Sequence, residues 1–393
     1  MADFFGIIPK KFRKPRRLSS QRITALDLAR FAAMLMMIQG HTIYALASPE
    51  AVIISEFPWN VWHFLRGITA PVFLIVSGAV HVFANKRDEE GMLPESRIRR
   101  RIKIALLLIG IGYFLHFPVA RIWDIFYITE AEWLRFYRVN ILQLIGAALV
   151  ILLMFYIFTR KDKTLAISTM AAAIFIFLST PFIETIDFYE HIPGFFAAYL
   201  NKQGGSLFPL FPYAGYLLFG TTLGVILKKM EPEKRTKFLQ KWGIPSGLVF
   251  LAIGGIMYML FDGINYKYYA IADSGFIFIF IRIGMVLAGL SIIAWFYEKT
   301  SEFSEYYSIF GKRALFIYVV HLILIYGSDV FKSFYHIYKN SLTVAEVIPF
   351  AILIMILSVV ITYFYDFSLY RFPKIKDYYR YGITAYLVFV IFF

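Results

Sequence analysis

The 393-residue chain contains no cysteine, which excludes disulfides, thiolate metal sites and a cysteine nucleophile. Charge is also scarce. Asp, Glu, Lys and Arg make up 17% of the chain, against 59% hydrophobic residues and a mean hydropathy of +0.65. A soluble domain carries about 25% charged residues, so the solvent that suits this composition is lipid. Acid is scarcer than base, 26 residues against 40, which gives a formal net charge of +14. An excess of that size fits either nucleic-acid binding or the loops of a membrane protein, and the placement of the basic residues decides between them.

A helix crossing the hydrocarbon needs about 20 mostly apolar residues, and on that rule the chain reads as all-α, a polytopic bundle of roughly ten or eleven spans. The expected segments are Ala25 to Leu46, Trp59 to Ala84, Ile102 to Ala120, Val139 to Phe158 and Leu165 to Phe182. They continue with Phe208 to Leu227, Gly243 to Phe261, Ser274 to Phe296, Phe310 to Val330 and Val344 to Tyr365. Tyr381 to Phe393 is apolar but short for a span. No fixed-period repeat or low-complexity linker interrupts the pattern, so residues 25–393 read as one membrane domain behind a basic tail, residues 1–24.

Lys and Arg concentrate in alternate loops: Lys86 to Lys103, Arg160 to Lys163, Lys228 to Lys241, Lys299 to Arg313 and Arg371 to Arg380. The intervening loops carry Glu50, Glu56, Asp124, Glu130, Glu132, Glu184, Asp187, Glu190, Asp262 and Asp329. By the positive-inside rule the N-terminus and the basic loops are cytoplasmic. This accounts for the positive charge and leaves no reason to invoke nucleic acid. The loop from Asp187 to Gly205 mixes aromatics with His191, Pro193, Asn201 and paired glycines, a composition suited to an amphipathic or re-entrant cover.

Ionisable side chains inside a span are costly, so those present face the bundle interior and mark a site or pathway. The first span holds Asp27, Arg30 and His41; the second His63, Arg66, Ser77 and His81; the eighth Arg282; the ninth His321. Arg30 and His41 are eleven positions apart, nearly eclipsed on one helix face and on the order of 16 Å apart along the axis. Asp27 lies one turn before Arg30, where a carboxylate can hold or orient a guanidinium. His63, Ser77 and His81 share a second stripe, within roughly 40° of one another. The plain alternatives are a buried Asp27–Arg30 pair that only orders the bundle, and histidines near span ends, such as His81 and His116, that are merely hydrogen-bonded. Arg282 needs a partner or an anionic ligand. No two histidines stand at i, i+3 or i, i+4, which argues against a metal.

The stretch Arg22-Ile-Thr-Ala-Leu-Asp27-Leu-Ala-Arg30, followed by a Met-rich helix and Gly40-His41, resembles the first helix of the transmembrane acyltransferases. That superfamily includes the bacterial membrane O-acyltransferases and the catalytic domain of heparan-α-glucosaminide N-acetyltransferase. Ala70-Pro71-Val-Phe-Leu-Ile-Val-Ser77-Gly78 is similar to its second-helix signature, and Arg97-Ile-Arg-Arg100 to the cytoplasmic Arg-x-x-Arg motif. Asn140 to Gly146, Leu207 to Pro212 and Gly311 to His321 match later segments in order. The resemblance is closest to the heparan-acetyltransferase-like bacterial branch.

The resemblance implies an acyltransferase of the bacterial inner membrane. Its co-substrate would be acetyl-CoA or another acyl-CoA on the cytoplasmic side, and its acceptor an extracytoplasmic glycan or aminosugar. No metal is implied, and a homodimer stays open as an assembly. The phosphates of the donor would meet Arg30, Ser77 and the rim of Arg97, Arg100 and Arg101, whose guanidinium forks match phosphate oxygens. His41 would act as base or transient acyl carrier, with Asp27 and Arg30 behind it. The family's catalytic histidine does not align uniquely, so His63 competes with His41. Arg66, Arg282 and His321 are substrate or oxyanion candidates. The rival reading is a secondary transporter of a small polar or anionic solute that uses the same intramembrane Asp, Arg and His, although matched broken repeats are missing.

Overall fold

A computed structural model describes residues 23–119, 122–261, 275–327, 332–379 and 381–382. The basic tail up to residue 22, Asp262, Asp329 and the last segment beyond residue 382 lie outside the described residues. The described chain is helical, with no strand beyond a single Ala47–Leu342 bridge.

Each of the ten expected segments overlaps helix among the described residues. The helices are α1 (Thr24–Leu46), α2 (Trp59–Arg66), α3 (Thr69–Ala84), α4 (Glu95–Phe114), α5 (Glu130–Tyr137), α6 (Ile141–Phe158), α7 (Asp162–Ile183) and α8 (Gly194–Ala197). They continue with α9 (Leu210–Lys228), α10 (Pro232–Phe261), α11 (Phe276–Lys299), α12 (Ser304–Lys312), α13 (Ala314–Tyr326), α14 (Phe334–Tyr338) and α15 (Val344–Arg371). Among the described residues seven helical stretches are long and apolar enough to cross a membrane, and eight if the bent pair α12 and α13 counts as one. α1 and α4 are long but are not among them. In α1 the cause is Arg30, Gln39 and His41, polar groups that the surrounding bundle shelters from lipid. In α4 it is the run Arg97 to Lys103, which occupies the first turns of the helix itself, so the helix at the third expected span starts earlier than the hydropathy implies and ends at Phe114, not Ala120.

The ninth segment is bent. α12 and α13 meet at 68° around Arg313, whose Nη2 pairs with Asp366 of α15 at 2.9 Å. A bend leaves carbonyls without their helical donors, and these need partners from elsewhere.

α1 sits at the centre and packs against α3, α11, α12, α13 and α15. α9 is largely covered, with 78% of its apolar window buried, whereas α10 and α15 at 17% and 22% turn most of theirs outward, where lipid would lie. α3 and α9 approach closely because Gly78 faces the Leu217 carbonyl and Gly220 the Ile75 carbonyl, each leaving no room for a Cβ. At the end where α1 begins, Arg87 holds the loop after α3 against the last turn of α6. It donates to the oxygens of Gly91 at 2.8 Å, Tyr156 at 3.2 Å and Thr159, and pairs with Asp162, which Lys228 also reaches at 2.7 Å. At the other end a cover forms from the predicted amphipathic loop: Phe195 of α8 stacks on Tyr113 of α4 and meets Tyr137 of α5 edge-on. Asn201, fully buried, ties this cover down by donating to Ile183 and Ile186 oxygens at 3.1 and 2.7 Å.

Candidate functional site

The polar residues of α1 fall into two groups, one near each end. Near the start of α1, Asp27 and Arg30 both meet α12 at Gly311. A Cβ on Gly311 would stand 2.7 Å from Asp27 Oδ1, and Arg30 Nη1 donates to the Gly311 oxygen at 3.2 Å. Gly311 is one residue before Lys312 at the bend, so its carbonyl is among those that gain from an outside donor. Arg30 Nη2 also donates to Ser77 Oγ of α3 at 3.4 Å, and its guanidinium lies over Phe73 with Cζ 5.5 Å from the ring centre. Phe31 stacks on Phe310 at 4.6 Å and closes the apolar side. Asp27 and Ser77 are buried.

One turn nearer the surface, His81 Nδ1–H donates to the Ser77 oxygen at 2.8 Å. Arg97 and Arg101 of α4 both donate to the Ala84 oxygen at the end of α3, each at 3.1 Å, and Arg101 Nε donates to Asn85 Oδ1 at 2.6 Å. Arg30 and Arg101 are both within electrostatic reach of His81, so these cations belong to one neighbourhood. Arg100 is exposed beside them, and Arg99 is engaged by Glu95 on the helix surface. The result is a graded run of guanidinium groups from solvent at Arg100 to the bundle interior at Arg30, suited to an elongated anion.

Near the far end of α1, His41 meets α13. Its ring lies 5.5 Å from that of His321 and 6.3 Å from that of Tyr326, edge to face in both cases. His321 is fully buried, and Tyr318 packs against its ring at 5.4 Å. Arg66 of α2 reaches over the same place. Its Cδ is 2.8 Å from where a Cβ on Gly40 would sit, and its guanidinium lies over Tyr44 and Trp62 at 5.4 and 5.1 Å. Hydrogen bonds between Leu46 and Leu342 and between Ser48 and Leu342, each 2.9 Å, fix this end of α1 to the segment before α15.

Of the other sequence candidates, His63 lies on α2, and among the described residues no ring contact or hydrogen bond joins it to His41. Arg282 of α11 is buried against the α2–α3 junction, with Nη2 3.3 Å from a Cβ on Gly67, and Phe278 and Tyr216 border its guanidinium. It therefore reaches Gly67, the residue that follows Arg66. Among the described residues no three of His, Cys, Asp and Glu gather as metal ligands. Gly311 and Tyr326 were not singled out as site residues by sequence. Gly311 lies within a segment that matches the family, whereas nothing in the sequence signals Tyr326.

A helical bundle in which one central helix carries a cationic end, a histidine end and an apolar stretch between them defines an integral membrane protein with a buried polar site. The family model described as heparan-alpha-glucosaminide N-acetyltransferase, catalytic, matches residues 22–262, and the chain belongs to that family. It is thus a membrane acetyltransferase-like protein. The matched stretch contains Asp27, Arg30, His41, His63, Arg66, Ser77 and the Arg97–Arg101 cluster; Arg282, Gly311 and His321 lie beyond it. A search of curated protein sequences gave no match.

Proposed function

We propose that the protein transfers an acetyl group from acetyl-CoA, taken from the cytoplasmic side, to an amine or hydroxyl of a glycan or aminosugar on the opposite side of a bacterial inner membrane. The observation that carries this reading is the division of α1 into a guanidinium end and a histidine end, on the order of 16 Å apart. That distance is comparable to an extended pantetheine arm. In this reading the N-terminus faces the cytoplasm, which places Arg100, Arg101, Arg97 and then Arg30 along the path of the CoA phosphates. Ser77 and the Gly311 carbonyl fix the direction of the Arg30 fork.

At the other end His41 removes the proton from the acceptor as its nitrogen or oxygen attacks the thioester carbonyl. The C–S bond breaks, and the CoA thiolate takes that proton back. Transfer by way of an acetylated His41 is the two-step variant of the same chemistry. Arg66, held over His41 by Gly40 and the Tyr44 and Trp62 rings, is placed to face the negative charge that develops on the carbonyl oxygen. His41 is preferred to His63 because its ring, unlike that of His63, is engaged by the facing helix α13.

The test uses purified protein in lipid vesicles with labelled acetyl-CoA and an extract of envelope glycans. Labelled product that depends on His41, with His41→Ala folded but inactive, is the expected result. Full activity in His41→Ala moves the base elsewhere, and solute uptake without acetyl transfer would favour a transporter.

A further inference from the structure

His321 is a buried histidine with a fixed tautomer and an unused basic nitrogen. Its Nδ1 lies 3.0 Å from the Ile317 oxygen one turn earlier on α13. A carbonyl only accepts, so Nδ1 carries the hydrogen and, in the neutral ring, Nε2 is a lone pair. That Nε2 is buried with no hydrogen-bond partner among the described residues, a costly situation that calls for an explanation. The ring beside it is His41. Their centres are 5.5 Å apart and their planes cross at 60°, so the rings touch without a hydrogen bond as they stand, and rotation of the His41 side chain turns one of its nitrogens toward Nε2. Catalytic hydrogen bonds are often poorly aligned until substrate binds.

We infer that His321 is a positioning residue for the reaction, its Nε2 accepting a hydrogen bond from the N–H of His41 and so reserving the other His41 nitrogen as the base. The logic is that of a catalytic triad with a neutral imidazole in place of the carboxylate: the third group chooses the tautomer of the base and favours its charged form. While the acceptor's proton resides on His41, the imidazolium donates to His321 Nε2; when the thiolate leaves and takes that proton, His41 returns to the starting tautomer. No proton is gained or lost by His321. A carboxylate in that place would attract Arg66 as well as His41, whereas a neutral acceptor leaves the guanidinium directed at the substrate. The groups that face the pair are Arg66 from α2, Tyr44 from α1, and Tyr318 and Tyr326 from α13.

The inference rests on the acetyl-transfer reading for its consequence but not for its geometry, so two measurements separate them. In protein labelled with nitrogen-15 at its seven histidines, the His41 ring is expected as a single tautomer that becomes mixed in His321→Asn. Asn keeps an amide near the Nδ1 position and nothing at Nε2, whereas Gln restores an acceptor at Nε2. Turnover of acetyl-CoA should accordingly fall roughly 100-fold in kcat for His321→Asn and His321→Leu, with KM for acetyl-CoA unchanged, and recover to within about tenfold in His321→Gln. Equal kcat in folded His321→Asn and His321→Gln overturns the assignment even if the Leu variant fails to fold. A His41 tautomer that ignores residue 321 overturns it also. If the tautomer responds but the wild-type protein transfers no acetyl group, it is the acetyl-transfer reading that has failed, and the positioning role falls with it.

Discussion

Arg30 on α1 donates through Nη1 to the main-chain oxygen of Gly311, 3.2 Å away in space and 281 positions along the chain. The contact joins the part of the chain that matches the acetyltransferase family to the part beyond the match. It depends on the bend at Arg313, because a carbonyl in mid-helix already has its donor.

Arg30→Lys keeps the charge but loses the planar fork that reaches both Gly311 and Ser77 at once. A hydrogen bond made by a charged group is worth about 1.5–3 kcal/mol, so acetyl-CoA should bind at least tenfold more weakly. Titration of purified variant and wild type with acetyl-CoA checks this, and equal affinity would remove Arg30 from the donor site.

Gly40→Ala places a methyl 2.8 Å from Arg66 Cδ, a distance the flexible side chain relieves by swinging away from His41. The expected result is a fall of about tenfold in kcat with little change in thermal stability, since a shift of this kind acts on alignment, not on packing. Steady-state kinetics beside a thermal melt separates the two.

Gly78→Leu should have the opposite signature. Its side chain collides with the Leu217 carbonyl and the Thr221 backbone, which cannot move without parting α3 from α9. Overpacking of this kind costs about 1–3 kcal/mol or more, so the detergent-solubilised protein should melt several degrees lower or fail to fold. Gly110→Leu, with no atom within 4 Å of the added Cβ, is the control and should melt as wild type does.

The absence of cysteine makes sidedness simple to measure, because any introduced thiol is the sole one. In sealed right-side-out vesicles a membrane-impermeant maleimide should label Glu56→Cys at once and Arg100→Cys only after permeabilisation; both residues are exposed. The reverse pattern would invert the orientation and, with it, the proposed direction of transfer.

Much of the helical architecture was legible because lipid imposes a simple rule. Backbone polar groups must be satisfied within each crossing segment, so length and hydropathy mark the helices, and all ten expected segments overlap helix among the described residues. The first helix also announced itself as the polar one, since Asp27, Arg30 and His41 have no reason to stand in an apolar span except to face something. The helix ends were less legible. The Arg97 to Lys103 run reads as a loop by hydropathy, yet its long side chains can reach water and the Ala84 carbonyl at the end of α3 while the backbone stays helical.

What the sequence determined by itself is therefore the material: a cysteine-free, lipid-adapted helical chain whose basic residues gather in alternate stretches and whose intramembrane polar residues concentrate in the first two expected spans. What only the tertiary structure decided is which of those groups meet. The sequence placed Arg30 and His41 on one face of α1 by helical period alone. That Gly311 would complete the first and His321 the second depends on how a bent helix nearly three hundred residues later packs against α1, and side-chain packing over that separation leaves no periodic trace in a single sequence.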